Sequence, residues 1–126
     1  MQTWNNEELE AIGQATELRI STLNKEGALR KPVIIWVVRV GDGLYIRAVK
    51  GPMGKWFKHA MESRQGHIDA GGISKDVNFV EADETLKSGI DSEYESKYQS
   101  YGPSIVGSIL TPQAQLATIK LIPLEE

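Results

Sequence analysis

A chain of 126 residues, 40% hydrophobic and 25% charged, is large enough to bury one core and too short for two, so it is read as a single domain over residues 1–126. A formal charge of -3 argues against a nucleic-acid binder, no apolar run approaches the ~20 residues of a membrane span, and the opening MQTWNNEELE lacks the basic head and apolar core of a secretion signal, which makes the cytoplasm the expected compartment. The absence of cysteine excludes disulfides, thiolate metal sites and thiol nucleophiles, and the two histidines, His59 and His67, have no HExxH spacing, so no metal site is expected.

Asn5 or Asn6 can cap a short helix running to Ala15, with Glu7 and Glu8 in the first turn, where the positive helix end favours carboxylates, and Leu9 and Ile12 on the buried side. Leu18 to Asn24 alternates like a half-buried strand, and Lys25-Glu26-Gly27 turns the chain back. Pro32 to Val40 is almost wholly apolar and β-branched, the pattern of a strand buried on both faces; Gly41-Asp42-Gly43 is then a hairpin signal into a third strand, Leu44 to Val49. These three strands are expected as an antiparallel meander. Lys55 to Ser63 reads as a short amphipathic helix carrying Trp56, Phe57, Ala60 and Met61, followed by fourth and fifth strands at Gln65 to Gly72 and Ser74 to Ala82.

Beyond Asp83, the recurrence of Leu86, Ile90, Tyr94, Tyr98 and Tyr101 every three or four residues predicts a surface helix with one narrow apolar stripe, open to a break near Gly89. That stripe suits either packing on its own barrel or a dimer surface rich in tyrosine. Pro103 begins a short helix through Leu110, and Gln115 to Pro123 alternates as a sixth strand. Six short strands with few helices predict a mainly β, α+β fold: a six-stranded antiparallel barrel, closed or split, with an N-terminal helix, a helix after strand three and helices before the last strand.

Charge is unevenly placed. Between Gly27 and Met61 there are seven basic residues (Arg30, Lys31, Arg39, Arg47, Lys50, Lys55, Lys58) against Asp42 alone, a net +6 that leaves -9 on the remainder and draws an anionic ligand to one region. The turn Lys50-Gly51-Pro52-Met53-Gly54 suits a phosphate, because glycines let backbone N–H groups approach an anion, the helix start adds partial positive charge, and Lys50 and Lys55 add full charges. The competing reading is a plain strand-to-helix connection with solvated lysines.

Arg47, in mid-strand on the face of Tyr45 and Val49, is fitted either to grip a phosphate with its planar fork or to pair with a carboxylate on the next strand such as Asp69. Trp36 is expected in the core, Arg39 in solvent, and Trp56, between Lys55 and Lys58, serves packing and ring stacking equally well. Tyr45 and His67 are the candidate substrate contacts, His67 being alternatively a solvent-facing imidazole. There is no GxSxG elbow, no GxGxxG opening a helix and no GxxxxGK[ST] loop, and the carboxylates cluster in helical charge runs, so no catalytic side chain is assigned.

The order of elements, with GALRKPV, DGLYIRAVKGPMGKWFKHA and SIVGSILTPQAQLATIKLIP, resembles an uncharacterised bacterial domain family. That family is similar to the FMN-binding split-barrel group, which includes pyridoxamine-phosphate-oxidase-like proteins and deazaflavin-dependent nitroreductases. The resemblance spans nearly the whole chain. It implies a split β-barrel homodimer with FMN or a deazaflavin in a groove near the subunit boundary, acting as an oxidoreductase on a small organic substrate. The alternative on the same scaffold is a non-catalytic dimer that binds a small anion.

Residue by residue, the resemblance places cofactor contacts at Arg30, Lys31 and Pro32, then at Arg47, Ala48, Val49, Lys50, Gly51, Lys55 and Trp56, with the Ala48 and Val49 backbone at the ring edge and Tyr45 or Trp56 stacked on a ring. Many FMN-binding members carry serine or threonine after the third strand. Here that place holds Ala48-Val49-Lys50-Gly51, which leaves a deazaflavin, another anionic ligand or no cofactor beside FMN.

Overall fold

The computed structural model describes residues 3–124. The β-branched and aromatic runs form seven strands: β1 (Leu18–Thr22), β2 (Val33–Ile35), β3 (Val37–Val40), β4 (Gly43–Arg47), β5 (Gln65–Ala70), β6 (Ile73–Glu81) and β7 (Thr118–Pro123). They pair antiparallel throughout in the order β2-β1-β5-β6-β7-β4-β3. The two ends of that order, β2 and β3, are consecutive in the chain and separated only by Trp36. The sheet therefore curls until its edges meet at one residue, which gives a nearly closed barrel.

Seven strands replace the expected six because the run from Pro32 to Val40 is not one strand. It bends at Trp36, its first half pairing with β1 (Ile20 opposite Val33) and its second with β4 (Val37 opposite Ile46). Nor is it buried on both faces: Val37 and Val38 are fully buried, but Val33 and Ile34 are 38% and 53% exposed.

Among the described residues five α-helices surround the barrel. Asn5 caps α1 (Asn6–Gln14) through a reciprocal box, its Oδ1 accepting from the Glu8 N–H at 2.8 Å while the Glu8 carboxylate accepts from the Asn5 N–H at 3.0 Å. Leu9 and Ile12 are buried as expected, and the Trp4 indole N–H donates to the Leu121 carbonyl at 2.9 Å. Then come α2 (Lys55–Ser63), α3 (Lys87–Lys97), α4 (Pro103–Gly107) and α5 (Pro112–Leu116). α3 runs through Gly89 without a break. α5 occupies Gln115 and Leu116, which the sequence pattern gave to the last strand; Thr111 caps it by accepting from the Ala114 N–H. None of the described helices is long and apolar enough to cross a membrane.

There are two cores. One fills the barrel and joins Leu18, Ile20, Val37, Leu44, Ile46, Ile68, Phe79, Ile119 and Leu121 with Leu9 and Ile12 of α1. The other lies outside it, where Val38 and Tyr45 meet Ile90, Tyr94, Tyr98, Val106 and Ile109. The tyrosine stripe therefore packs on its own barrel, with only Tyr101 left 45% exposed.

The β5–β6 turn is fixed by its contact with α1. Gly71 has φ +57°, and a Cβ there would lie 2.2 Å from the Ala11 carbonyl oxygen, whereas at Gly72, φ +84°, it would meet open space. Gly71→Val is expected to lower the unfolding free energy by ~3 kcal/mol and Gly72→Ala by ~1 kcal/mol in denaturant titration, since only the first adds a backbone clash to the strain of positive φ. Equal losses would contradict this account of the turn.

Candidate functional site

The β3–β4 ladder ends at the pair Val37–Ile46. One step further the same register would set Trp36 against Arg47 and Ile35 against Ala48. By then β2 has turned away to β1, and the strands part. The gap is a cavity of about 510 Å³ with Val33 to Trp36 on one side and Arg47 to Lys50 on the other. Gly54, Lys55 and Trp56 from the start of α2 close one end, and Ile105, Ser108 and Ile109 line it from α4 and the segment after it. The size and apolar walls are those of a small-molecule pocket.

A second cavity of about 400 Å³ adjoins it, lined by Ile20, Thr22, Arg30, Lys31, Val33, Lys55, Trp56 and His59. Val33, Lys55 and Trp56 belong to both, so the two chambers form one groove. Among the described residues no carboxylate pairs with Arg30, Lys31, Lys50, Lys55 or Lys58. The Arg30 Nε–H is buried without a partner, and a buried donor left so costs ~1–3 kcal/mol. The first turn of α2, opened by Gly54 with no side-chain cap, adds its partial positive charge beside Lys55.

Eight of the residues read from the sequence thus come together: Arg30, Lys31, Arg47, Ala48, Val49, Lys50, Lys55 and Trp56 line the groove. Pro32, Gly51, Tyr45 and His67 line neither chamber. Gly51 N–H donates to the Ala48 carbonyl at 2.9 Å and Gly54 N–H to the Gly51 carbonyl at 3.0 Å, so the glycine amides expected to face a phosphate are spent on the turn itself. Gly51 is glycine for another reason: with φ +72° it admits α5, and a Cβ would lie 2.3 Å from Gln113 Cγ. Tyr45 is buried in the outer core. His67 sits on the outer face of the β5–β6 hairpin, its Nδ1 2.8 Å from Asp76 Oδ1 and its Nε2 2.7 Å from Ser74 Oγ, an imidazole already satisfied.

Arg47 requires the larger correction. Its side chain is wholly buried and is not free to grip a ligand. Nε donates to Thr118 Oγ1 at 3.0 Å, Nη1 to the Asp91 carboxylate and to the Ile109 carbonyl at 3.1 Å, and Nη2 to the Lys87 carbonyl at 3.2 Å. The expected carboxylate partner exists, but on α3 instead of the next strand. The Gln115 amide holds its other oxygen at 2.9 Å, and the guanidinium lies 5.5 Å from the Tyr94 ring centroid. Arg47 thus ties β4 to α3, to β7 and to Ile109 in the groove wall.

The sequence pattern gave no site role to Val33, Ile34, Ile35, His59, Ile105, Ser108 and Ile109, and it placed Trp36 in the core instead of the groove. Trp36 is half-buried in the groove wall, stacked on Tyr98 with ring centroids 3.9 Å apart and planes 3° from parallel. The Tyr98 hydroxyl donates to the Thr16 carbonyl at 2.8 Å, and burial pushes its pKa up to about 12, so it remains a donor across the neutral range. A single Trp breaking a β-branched run was the one available signal for the bend.

Arg47→Ala would strand Asp91 and three other acceptors, and is expected to cost about 3 kcal/mol of stability, read as a lower denaturation midpoint. Lys50→Ala, at an exposed position, is expected to stay within ~0.5 kcal/mol of wild type. An Arg47→Ala protein as stable as wild type would show that the network does not hold the wall.

Solved structures share this split-barrel fold. HutZ, a heme storage protein from Vibrio cholerae, is similar with a TM-score of 0.66 and 15% identity, covering 100% of this chain and 93% of that one. An F420 reductase gives 0.58 and 11%, covering 92% of each chain. An FAD-binding protein from Mesorhizobium loti gives 0.54 and 15%, covering 99% of this chain and 92% of that one. At such identities the likeness carries the fold alone. No curated protein matches the sequence significantly. The profile of the family described as "Uncharacterized protein conserved in bacteria (DUF2255)" matches residues 8–121, and the chain belongs to that family.

Proposed function

We propose that this protein is an oxidoreductase that binds a flavin or deazaflavin, with the ring system in the split between β2 and the end of β4 and the anionic end in the basic chamber. The observation that carries the proposal is the pair of adjoining chambers, one with mostly apolar walls and the other ringed by Arg30, Lys31, Lys55 and His59. Cations without carboxylate partners among the described residues, beside the uncapped start of α2, fit an anion there. Similar folds named for F420 and FAD support the choice of cofactor class.

Such a cofactor, when bound, supplies the hydride chemistry. The chain's part is to hold the anion through Arg30, Lys31, Lys50 and Lys55, to present Trp36 and Trp56 as flat walls, and to keep water from the split with Val33, Ile35 and Ile109. Val33, Ile34, Val49 and Ile105 are 38–53% exposed around the mouth, an apolar rim that a second copy would cover. The working unit is accordingly a homodimer of single-domain chains in the cytoplasm.

One observation favours a second reading, a non-catalytic dimer that holds an organic anion: among the described residues no carboxylate lines either chamber, so these residues offer no acid and base pair in the groove. Titration with FMN, F420 and heme separates the readings, because Trp36 and Trp56 line the groove and report on an occupant by fluorescence. Saturable quenching by FMN or F420, weakened about tenfold in Arg30→Ala and in Lys55→Ala, is the expected result. Binding with no electron transfer to any nitroaromatic or quinone acceptor would favour the second reading; quenching by heme alone, or by none of the three, would overturn the flavin assignment.

A further inference from the structure

Away from the groove, α1, the β3–β4 hairpin and α3 enclose a third cavity of about 530 Å³. Its charged lining is Glu10 from α1, Arg39 from β3, and Glu93 and Lys97 from α3. Among the described residues none of these four forms an ion pair. Lys97 is half-buried at the last turn of α3; its Nζ donates to the Val37 carbonyl at 2.6 Å and lies 5.1 Å from the Tyr98 ring centroid. Arg39 gives its Nε–H to the Gly41 carbonyl at 2.8 Å, which leaves its terminal nitrogens for an anion. Lys97, half-buried, and Arg39, without a carboxylate partner among the described residues, therefore line one cavity.

We propose that Lys97 is a covalent modification site for small acyl phosphates, which enter this cavity with the phosphoryl group towards Arg39. The Lys97 nitrogen lone pair attacks the acyl carbon, the carbon–oxygen bond to the phosphoryl group breaks, and inorganic phosphate leaves with that electron pair and the proton released from nitrogen. No oxidant or reductant is needed. Burial draws the Lys97 ammonium down to about 8, while the Glu93 carboxylate one turn earlier pulls the other way, so about a tenth is free amine at pH 7 and about half at pH 8. Glu10 and Glu93 repel a phosphoryl group, and Arg39 is the one counterweight in the lining.

Acylation would matter to the groove. A neutral amide loses the cation over Tyr98, and Tyr98 is the ring on which Trp36, a wall of the apolar chamber, is stacked. The route from modification to ligand passes through two adjacent rings.

The test treats the intact protein with acetyl phosphate from pH 6.5 to 9.5, with Nα-acetyl-lysine as a free-amine reference in the same tube, and measures modification of each by mass spectrometry. The expected Lys97 rate levels off above pH about 8, while that of the reference keeps climbing. At pH 7.5 Lys97 is expected to react about fivefold faster than the reference, the gain in free amine exceeding the loss in basicity. Arg39→Gln should slow acetyl phosphate about threefold and leave acetylation by the neutral p-nitrophenyl acetate unchanged. A Lys97 that stays unmodified, or whose rate climbs in parallel with the reference, would overturn the site; equal slowing of both reagents would overturn the role of Arg39.

Discussion

One continuous run of backbone serving two partner strands is the constraint on which this molecule depends. From Val33 to Val40 the backbone must satisfy β1 with its first half and β4 with its second, and it does both by bending at Trp36. The bend closes the barrel and at the same moment opens the ladder, because the hydrogen-bonding row that joins β3 to β4 loses its next member. Protein interiors are ordinarily packed as densely as organic crystals, so a gap of about 510 Å³ between apolar walls persists only where something holds the walls apart. Arg47 does so on one side by binding Ile109, Asp91, Lys87 and Thr118 at once, and the Trp36–Tyr98 stack does so on the other. The residue that looks most suited to seize a ligand is the one that keeps space for it.

The charge distribution takes on sharper meaning once each cation has been placed. Of the seven basic residues between Gly27 and Met61, Arg47 is spent on the outer core and Arg39 faces the third cavity. Lys58 is exposed on α2 and lines neither chamber, and Arg30, Lys31, Lys50 and Lys55 remain around the groove without carboxylate partners among the described residues. The acidic remainder of the chain repels anions elsewhere, so approach to the groove is favoured by the field of the whole molecule as well as by local contacts.

Features that depend on near neighbours were legible in the sequence. The Asn5 cap with Glu8 three residues on, the Gly41-Asp42-Gly43 hairpin and the two strands either side of Gly71 and Gly72 are all local, and each appears where the residues indicate. The basic groove was legible for a similar reason, since charge clusters by position along the chain. The bend was not, because a β-branched run has the same pattern whether or not it changes partner midway. Nor was the fate of Arg47, whose carboxylate lies 44 residues away on α3. Gly51 looked like a phosphate turn because positive φ and close approach leave the same residue whichever neighbour approaches; here the neighbour is Gln113. α5 could have been read, since Thr111 before Pro112 is a capping signal, but the alternation of the strand that follows extended over it.

The claim that the split in the ladder is the ligand site is tested most directly by backbone amide NMR during titration with F420 and with FMN. The account predicts that shifts concentrate at Val33 to Trp36, at Val49 and Lys50, and at Lys55 and Trp56, the residues that line the two sides and the joint of the groove. Shifts gathered instead on the outer face of the β5–β6 hairpin around His67, or along α1 and α3 with the groove unmoved, would contradict it.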